Sequence, residues 1–198
     1  YGEHQDDLLY ATTLYYMGKY FLLNDSMEQA KACLDKSYSI SDSLHHLNVK
    51  CLALDKLIEV EEQLAPDTAL KYAKDLVKMY DSMANVTIYN KVAARLRLGE
   101  NFFYVDSLQH ALEEERKAYR MAMKAGDSNL LSYVRQNLAS TFEEMGEKDS
   151  CLYYARLAYD LNAANRFSCL LTFASAYVSV DSLNQAFSLL KQAMPKTA

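Results

Sequence analysis

Cys33 and Cys51 are eighteen residues apart, and so are Cys151 and Cys169. A turn at Asp42 between antiparallel helices would set Cys33 opposite Cys51. A disulfide could form there if the Cα atoms came within about 7 Å. The same thiols also serve as small buried apolar side chains, and that is the expected role, because spacing alone does not define a pairing. His45 and His46 are neighbours after Asp42-Ser43. In the first turn of a helix they would point about 100° apart, so a solvated helix start is expected rather than a metal pair. The four histidines form no His-Glu-x-x-His or Glu-x-x-His arrangement. The five glycines are scattered, which leaves no phosphate-cradling loop, and there is no Gly-x-Ser-x-Gly elbow. The expectation is a non-enzymatic chain with no catalytic residue, no metal and no cofactor.

Sixteen tyrosines and no tryptophan could suggest an aromatic channel. Most have a packing role instead. Tyr72, Tyr154 and Tyr159 fall on expected second helices of hairpins and Tyr177 at an aromatic core position, where a ring can pack while its hydroxyl reaches water.

Composition sets the class of element that must hold these groups. With 198 residues, 51% hydrophobic and 24% charged, the chain is long enough for a substantial core and too apolar for disorder. Five glycines and two prolines are too few for the many turns of a β-sandwich or a doubly wound α/β domain. The expected class is all-α. Twenty-six acidic residues outnumber 21 basic ones, for a net charge of −5, and no basic run exceeds two residues. This argues against nucleic acid as a partner, since phosphate backbones call for a concentrated positive face. The clusters Glu113–Lys117 and Glu59/Glu61/Glu62 read as solvated helix faces. No apolar stretch approaches 18 residues, so no membrane insertion by this segment is expected.

Internal repetition gives the organisation. Asp-Ser or Asp-Thr occurs at Asp25, Asp42, Asp67, Asp81, Asp106, Asp127, Asp149 and Asp181. Each pair is a candidate helix N-cap, since a short side-chain oxygen can accept from the free N–H groups of the first turn. The intervals suit one helix each, except the last, which would hold two with a boundary at Asn162 or Asn165. That predicts about ten helices in five hairpins. Three segments share one spacing: Met17-Gly18-x-x-Phe21-x-x-x-Asp25-Ser26, Leu98-Gly99-x-x-Phe102-x-x-x-Asp106-Ser107 and Phe173-Ala174-x-x-Tyr177-x-x-x-Asp181-Ser182. A fourth reads Leu138-Ala139-x-x-Phe142-x-x-x-Gly146, followed by Asp149-Ser150-Cys151, Ala155 and Ala158. The small residue would let a partner helix approach, and the ring would fill the space beside it.

This pattern resembles the tetratricopeptide repeat (TPR) family, most closely at Leu138, Ala139, Phe142, Gly146, Cys151, Ala155 and Ala158. Second helices match more loosely through Ala69, Ala73 and Leu76, and through Leu183, Phe187 and Leu190. The family's early Trp is missing, the repeats are lengthened, and Lys56 stands where an apolar residue is usual. The resemblance implies a right-handed α-solenoid of about five antiparallel helix hairpins. It would form a single array over 1–198 with approximate units 6–41, 42–80, 81–126, 127–163 and 164–195.

In such an array first helices line a concave face. The repeat register places Tyr15, Tyr16 and Lys19 there, then Asp55 and Glu62, then Arg97, Glu100 and Tyr104. Tyr133, Gln136 and Asn137 follow, with Thr172 and Ser175 in the last unit. Aromatic, amide and Arg side chains are usual anchors of a peptide interface, and the same set also fits a merely solvated polar wall. The Lys/Asn/Lys/Arg clamp with which some TPRs hold a peptide carboxylate is not present, so an acidic C-terminal peptide is not the expected ligand.

The expected function is a protein- or peptide-binding module using that face. The alternative is an N-terminal sensor or regulatory segment of a bacterial membrane-anchored regulator, which such long-unit arrays resemble. The start at Tyr1 and the Pro195-Lys-Thr-Ala end suggest a fragment of a longer protein. Its compartment would be periplasmic or cytoplasmic, periplasmic if an anchor lies outside this sequence. Weak self-association through an apolar array end (Phe187, Leu189, Leu190) is a further expectation.

Overall fold

The structure is a computed structural model describing residues 2–161 and 166–192, and among them are ten α-helices and no strand. The helices are α1 (Gly2–Leu23), α2 (Met27–Ser43), α3 (Leu47–Leu64), α4 (Pro66–Ser82) and α5 (Ile88–Tyr104). They continue with α6 (Leu108–Ala125), α7 (Ser128–Glu144), α8 (Lys148–Asp160), α9 (Arg166–Ser179) and α10 (Leu183–Lys191). The boundaries expected at Asn162 or Asn165 and at Pro195 lie outside the described residues.

The Asp-Ser pairs do not all act as N-caps. Asp127 does: its carboxylate accepts from the N–H groups of Asn129 and Leu130 at 2.8 and 3.0 Å. Asp25, Asp106 and Asp181 instead adopt left-handed backbone conformations, with φ of 54°, 56° and 57°. Each ends the preceding helix, and the Ser that follows takes the N-cap position without a side-chain cap bond. Asp42 and Asp81 lie in the last turns of α2 and α4, and Asp67 and Asp149 in the first turns of α4 and α8. The reason is the shortness of the connection. Two helices joined by two or three residues need one residue in the left-handed region to reverse the chain, and Asp tolerates it better than most.

The hydrogen bonds show the same turn five times. Asp25 N–H donates to Leu22 O at 3.2 Å, and Ser26 N–H donates to Phe21 O at 2.9 Å. This pair of bonds satisfies carbonyls that a helix end would otherwise leave open. It recurs at His45-His46, Asp106-Ser107, Gly146-Glu147 and Asp181-Ser182. In four of the five the second bond of the pair, donated from five residues further along the chain, reaches the carbonyl of the repeat's aromatic residue: Phe21, Phe102, Phe142 or Tyr177. The spacing seen in the sequence is therefore the spacing of a helix stop. His45 and His46 form such a turn at the start of α3: His45 is left-handed at φ 52°, and His46 is the N-cap, its Nδ1 accepting from Val49 N–H.

Packing follows from the small residues. A Cβ on Gly18 would lie 2.6 Å from Leu34 Cγ, and one on Gly99 would lie 3.1 Å from Glu115 Cγ. Both glycines allow the second helix to close against the first. Four positions after each second-helix cap stands a small buried residue: Ala30, Ala69, Ala111, Cys151 and Ala186. In α10 this register buries Ala186 and Leu189. It leaves Leu183, Phe187 and Leu190 exposed, so the looser repeat match at those three marks the outer face of that helix, and Leu189 is not part of an exposed end.

Contacts divide the chain into two compact units, Tyr1–Val86 and Thr87–Ala198. In the first, α1 pairs with α2 and α3 with α4, and the two first helices also touch. Tyr15, Ala30, Leu34, Leu57 and Val60 form a core there, with Tyr38 and Tyr72 packed at its edge. In the second, α5 pairs with α6, α7 with α8 and α9 with α10, and the first helices α5, α7 and α9 touch in succession. Its core includes Val134, Leu138, Phe142, Cys151 and Phe173, edged by Tyr154, Tyr159 and Tyr177. Tyr154 stacks on Phe142 with ring centres 5.5 Å apart, the packing role expected of these tyrosines.

All four cysteines are free thiols. Cys51, Cys151 and Cys169 are buried and Cys33 is half-buried. Burial pushes the Cys51 and Cys151 thiols up to about 11.

Candidate functional site

In the first unit the expected residues gather where α1 meets α3. Tyr15 is buried in the core, while Tyr16 is exposed and sets its ring edge-on to Tyr15 at 5.1 Å. The Lys19 ammonium lies 5.6 and 5.8 Å from the two ring centres, within cation–π range. Burial raises the Tyr15 hydroxyl pKa; Lys56 of α3 lowers it and Asp55 raises it. Lys56, where an apolar residue was expected, is half-buried and paired with Glu59 at 2.8 Å and with Asp55 at 3.5 Å. Glu62 is half-buried further along α3.

In the second unit a ladder of polar bonds joins successive first helices. Asn137 Nδ2 on α7 donates to Glu100 Oε1 on α5 at 3.1 Å. Gln136, nearly buried, donates to Ser168 Oγ and Thr172 Oγ1 on α9 at 2.7 and 3.2 Å. Ser175 Oγ donates to Glu143 Oε1 at 2.9 Å. Tyr104 and Tyr133 project beside this ladder, 64% and 50% exposed, and Arg97 is half-buried on α5.

The charged clusters do not form solvated faces throughout. Glu61 is buried and takes the Lys31 ammonium. Glu114 is buried and paired with Arg95 at 2.8 Å and with Lys117. Glu115, 2% exposed, accepts from Thr141 Oγ1 at 2.8 Å. A charge run on an amphipathic helix contains inward positions as well as outward ones, and the Glu run of α6 spans both.

Glu115 is the functional candidate that residue types alone missed. Its Oε2 is buried with no hydrogen-bond partner. Burial pushes its carboxyl up to about 7; the Thr141 hydroxyl pulls it down, and the charge of Glu100 raises it. Glu115 is one of the residues around a cavity of about 190 Å³ lined also by Glu100, Phe103, Tyr104, Asn137 and Thr141. The repeat register carried the signal: Glu115 stands eight residues after Ser107, as Leu34 stands eight after Ser26.

Among the described residues no group of three or more His, Cys, Asp or Glu side chains could hold a metal ion. Nor is any helix there long and apolar enough to cross a membrane.

No family model matches the sequence, and no curated protein does. Solved structures match the fold. Aspartyl phosphate phosphatase F from Bacillus subtilis superposes with a TM-score of 0.84 at 14% identity, over 98% of this chain and 52% of that one. A signal transduction ATPase with a tetratricopeptide repeat sensor, from Pyrococcus horikoshii, gives 0.80 at 14% identity, over 94% of this chain and 30% of that one. A Rap protein complexed with competence and sporulation factor gives 0.78 at 14% identity, over 93% and 53%. The chain thus spans between 30% and 53% of the length of these proteins. The fold is all-α and TPR-like, built of helical-repeat hairpins and shared with these three proteins.

Proposed function

We propose that the chain is a non-enzymatic protein-interaction module that takes an extended peptide along the face made by the first helices α5, α7 and α9 of its second unit. The observation that carries this reading is the α5–α7–α9 ladder. It holds Glu100, Asn137, Gln136 and Thr172 in a fixed polar strip, with the exposed rings of Tyr104 and Tyr133 beside it. Rigid aromatic groups next to oriented amides supply contact area and directional bonds at low entropic cost. A Rap protein of the same fold is complexed with competence and sporulation factor, which favours a ligand of comparable kind here. Nucleic acid, a cofactor and membrane insertion form no part of this reading.

The experiment is selection from a random displayed peptide library, followed by affinities of the selected peptides for Tyr104→Ala/Tyr133→Ala. A loss of about tenfold or more is expected from removing two aromatic anchors. Unchanged affinity would remove the face from the proposal.

A second reading, a sensor segment of a larger signalling protein, is favoured by the match to a chain carrying a TPR sensor, of which this sequence spans 30%. An open reading frame holding no output domain or membrane helix beside these residues would end it.

A further inference from the structure

Within the second unit α7 packs on the second helix before it, α6, and α9 packs on α8. Among the described residues no helix precedes α1 and none follows α10. Aligning the helix stops at Phe21 and Phe142 sets Leu9, Tyr10, Met17 and Tyr20 of α1 at the positions of Leu130, Leu131, Leu138 and Thr141 of α7. The four α7 residues are buried, and Thr141 donates to Glu115 of α6. The four α1 residues are exposed, as are Tyr16 and Leu23 beside them. α1 is thus apolar on its outer side as well as its covered one, a pattern that suits a helix enclosed all round.

The complementary surface lies on α9 and α10. Aligning Phe142 with Tyr177 sets Phe167, Leu171 and Val178 at the positions of Ser132, Gln136 and Glu143 of α7. Those three reach the next first helix: Ser132 Oγ lies 3.0 Å from Cys169 Sγ, Gln136 donates to Ser168 and Thr172, and Glu143 accepts from Ser175. Phe167, Leu171 and Val178 have the same register and are exposed. On α10, Phe187 and Leu190 stand five and eight residues after Ser182, as Leu112 and Glu115 of α6 stand after Ser107. The α6 pair is buried and the α10 pair is exposed. Positions held by Ser132, Gln136, Glu143 and Glu115 where a helix follows are therefore apolar where none does. Helical-repeat arrays stay soluble as monomers when their terminal helices turn a polar side outward, and here both terminal surfaces are apolar.

We propose that α1 of one copy of the chain seats on the α9–α10 surface of a second copy, continuing from molecule to molecule the joint that α6 makes with α7. In that register Tyr20 meets Leu190 of the second copy, as Thr141 meets Glu115, and Tyr16 meets Leu171, as Thr172 meets Gln136. A second copy is the occupant because one chain supplies both halves of the joint. The apolar side chains on the two surfaces are 39–84% exposed, and a bare aromatic ring presents about 150–250 Å², so each surface offers on the order of 600 Å². Together that is roughly 1,200 Å², the size of a specific interface and more than singly scattered apolar groups provide. The contact is heterologous, so every assembly that does not close on itself keeps one α1 and one α9–α10 surface open. Neither Tyr104 nor Tyr133 takes part, so association and peptide binding are separate properties.

The test is sedimentation velocity on the full chain from micromolar to millimolar concentration, a reading that needs no variant. The native chain is expected to shift from monomer to dimer and larger species as concentration rises. Tyr20→Lys and Phe187→Lys alter exposed side chains at the two halves of the joint. Each should keep its helical circular dichroism and associate about tenfold or more weakly, as loss of an aromatic anchor does. Mixed in equal amounts, the two variants should pair one to one and go no further, because Phe187→Lys keeps an intact α1 and Tyr20→Lys an intact α9–α10 surface. A native chain that stays monomeric throughout overturns the proposal. So does either variant associating as strongly as the native chain, which would place the contact elsewhere, and so does a mixture of folded variants no more associated than its components.

Discussion

A Cβ added to Gly99 would lie 3.1 Å from Glu115 Cγ, so α5 and α6 close at that point over a side chain that ends in a carboxyl. The equivalent closure in the first hairpin is made by Gly18 over Leu34. The acid has a measurable cost. An unfolded glutamate ionises near 4.5, while folded Glu115 is pushed up to about 7 by burial. Between those values the native state keeps a proton that the unfolded chain has lost. Stability therefore falls as pH rises from about 4.5 to 7, and the penalty, about 3 kcal/mol at most, is complete above the folded value. Urea unfolding from pH 5 to 8 should show this decline in the native protein and a flatter profile in Glu115→Gln. Glu115→Leu should be more stable than native at pH 8 by about 1–3 kcal/mol, as buried charges replaced by apolar groups often are. Parallel profiles for native and Glu115→Gln would show that Glu115 carries no shifted proton.

Gly18 is more tightly confined than Gly99. A methyl there meets Leu34 Cγ at 2.6 Å and Cδ2 at 2.8 Å, and Leu34 is fully buried. Replacing Gly by Ala in a helix gains about 1 kcal/mol of propensity, and overpacking costs about 1–3 kcal/mol. Gly18→Ala is expected to be net destabilising by about 1–2 kcal/mol, and Gly99→Ala, at 3.1 Å, close to neutral. Leu34→Ala alone should cost about 2–5 kcal/mol, and the double variant should cost less than the sum because the second change relieves the first. Strict additivity in thermal unfolding would mean that the two helices do not meet there as the structure has them.

How much of this was legible in the sequence depends on what each residue type reports. The Gly18/Phe21/Asp25 spacing is visible because helix stops are local: the aromatic carbonyl, the left-handed residue and the Ser after it lie within six positions. The role given to Asp was wrong in most cases for a related reason. Asp suits both a cap and a left-handed stop, and only the length of the connection decides between them. Tyr104 and Tyr133 read as surface aromatics from register alone, and they are exposed. Tyr15 read the same way yet is buried, because its neighbours Ala30 and Leu34 on α2 draw it into the core. Glu115 was hidden among Glu113 and Glu114, since composition assigns a charge run to solvent and only the offset from Leu34 marks one member as inward.

The left-handed turns can be tuned. A non-glycine residue at φ near 55° carries strain that glycine avoids, and Asp25, Asp106 and Asp181 all stand there, as does His45. Asp106→Gly should stabilise by about 0.5 kcal/mol, the relief of strain being partly offset by the greater freedom of the unfolded chain. Asp106→Val, branched and without a local hydrogen bond to offer, should destabilise by about 1–2 kcal/mol. Gly146, at φ 75°, sits in the same turn of its own hairpin, and Gly146→Ala should cost about 1 kcal/mol. Denaturant midpoints in that order would support the shared turn. Asp106→Val as stable as native would mean that residue 106 is not left-handed in solution.

The cysteines give a kinetic test of the same packing. A thiol reacts as its thiolate, so burial slows it twice, by blocking the reagent and by raising the pKa. The Cys51 and Cys151 thiols are pushed up to about 11, and that of Cys169 is also raised by burial, even though the Ser132 hydroxyl 3.0 Å from its Sγ acts in the opposite direction. Cys33, half-buried on α2, is the accessible member of the four. Iodoacetamide at pH 8 should label Cys33 first, with the other three modified only as the chain unfolds, so peptide mass spectra over time should show one fast site and three slow ones. Cys169 has the most to lose from labelling, since Sγ and Ser132 Oγ meet inside the packed contact of α7 with α9. Its modification should therefore accompany loss of helical signal rather than precede it. Fast labelling of Cys151 in chain that keeps its helical signal would contradict the close packing of α7 on α8.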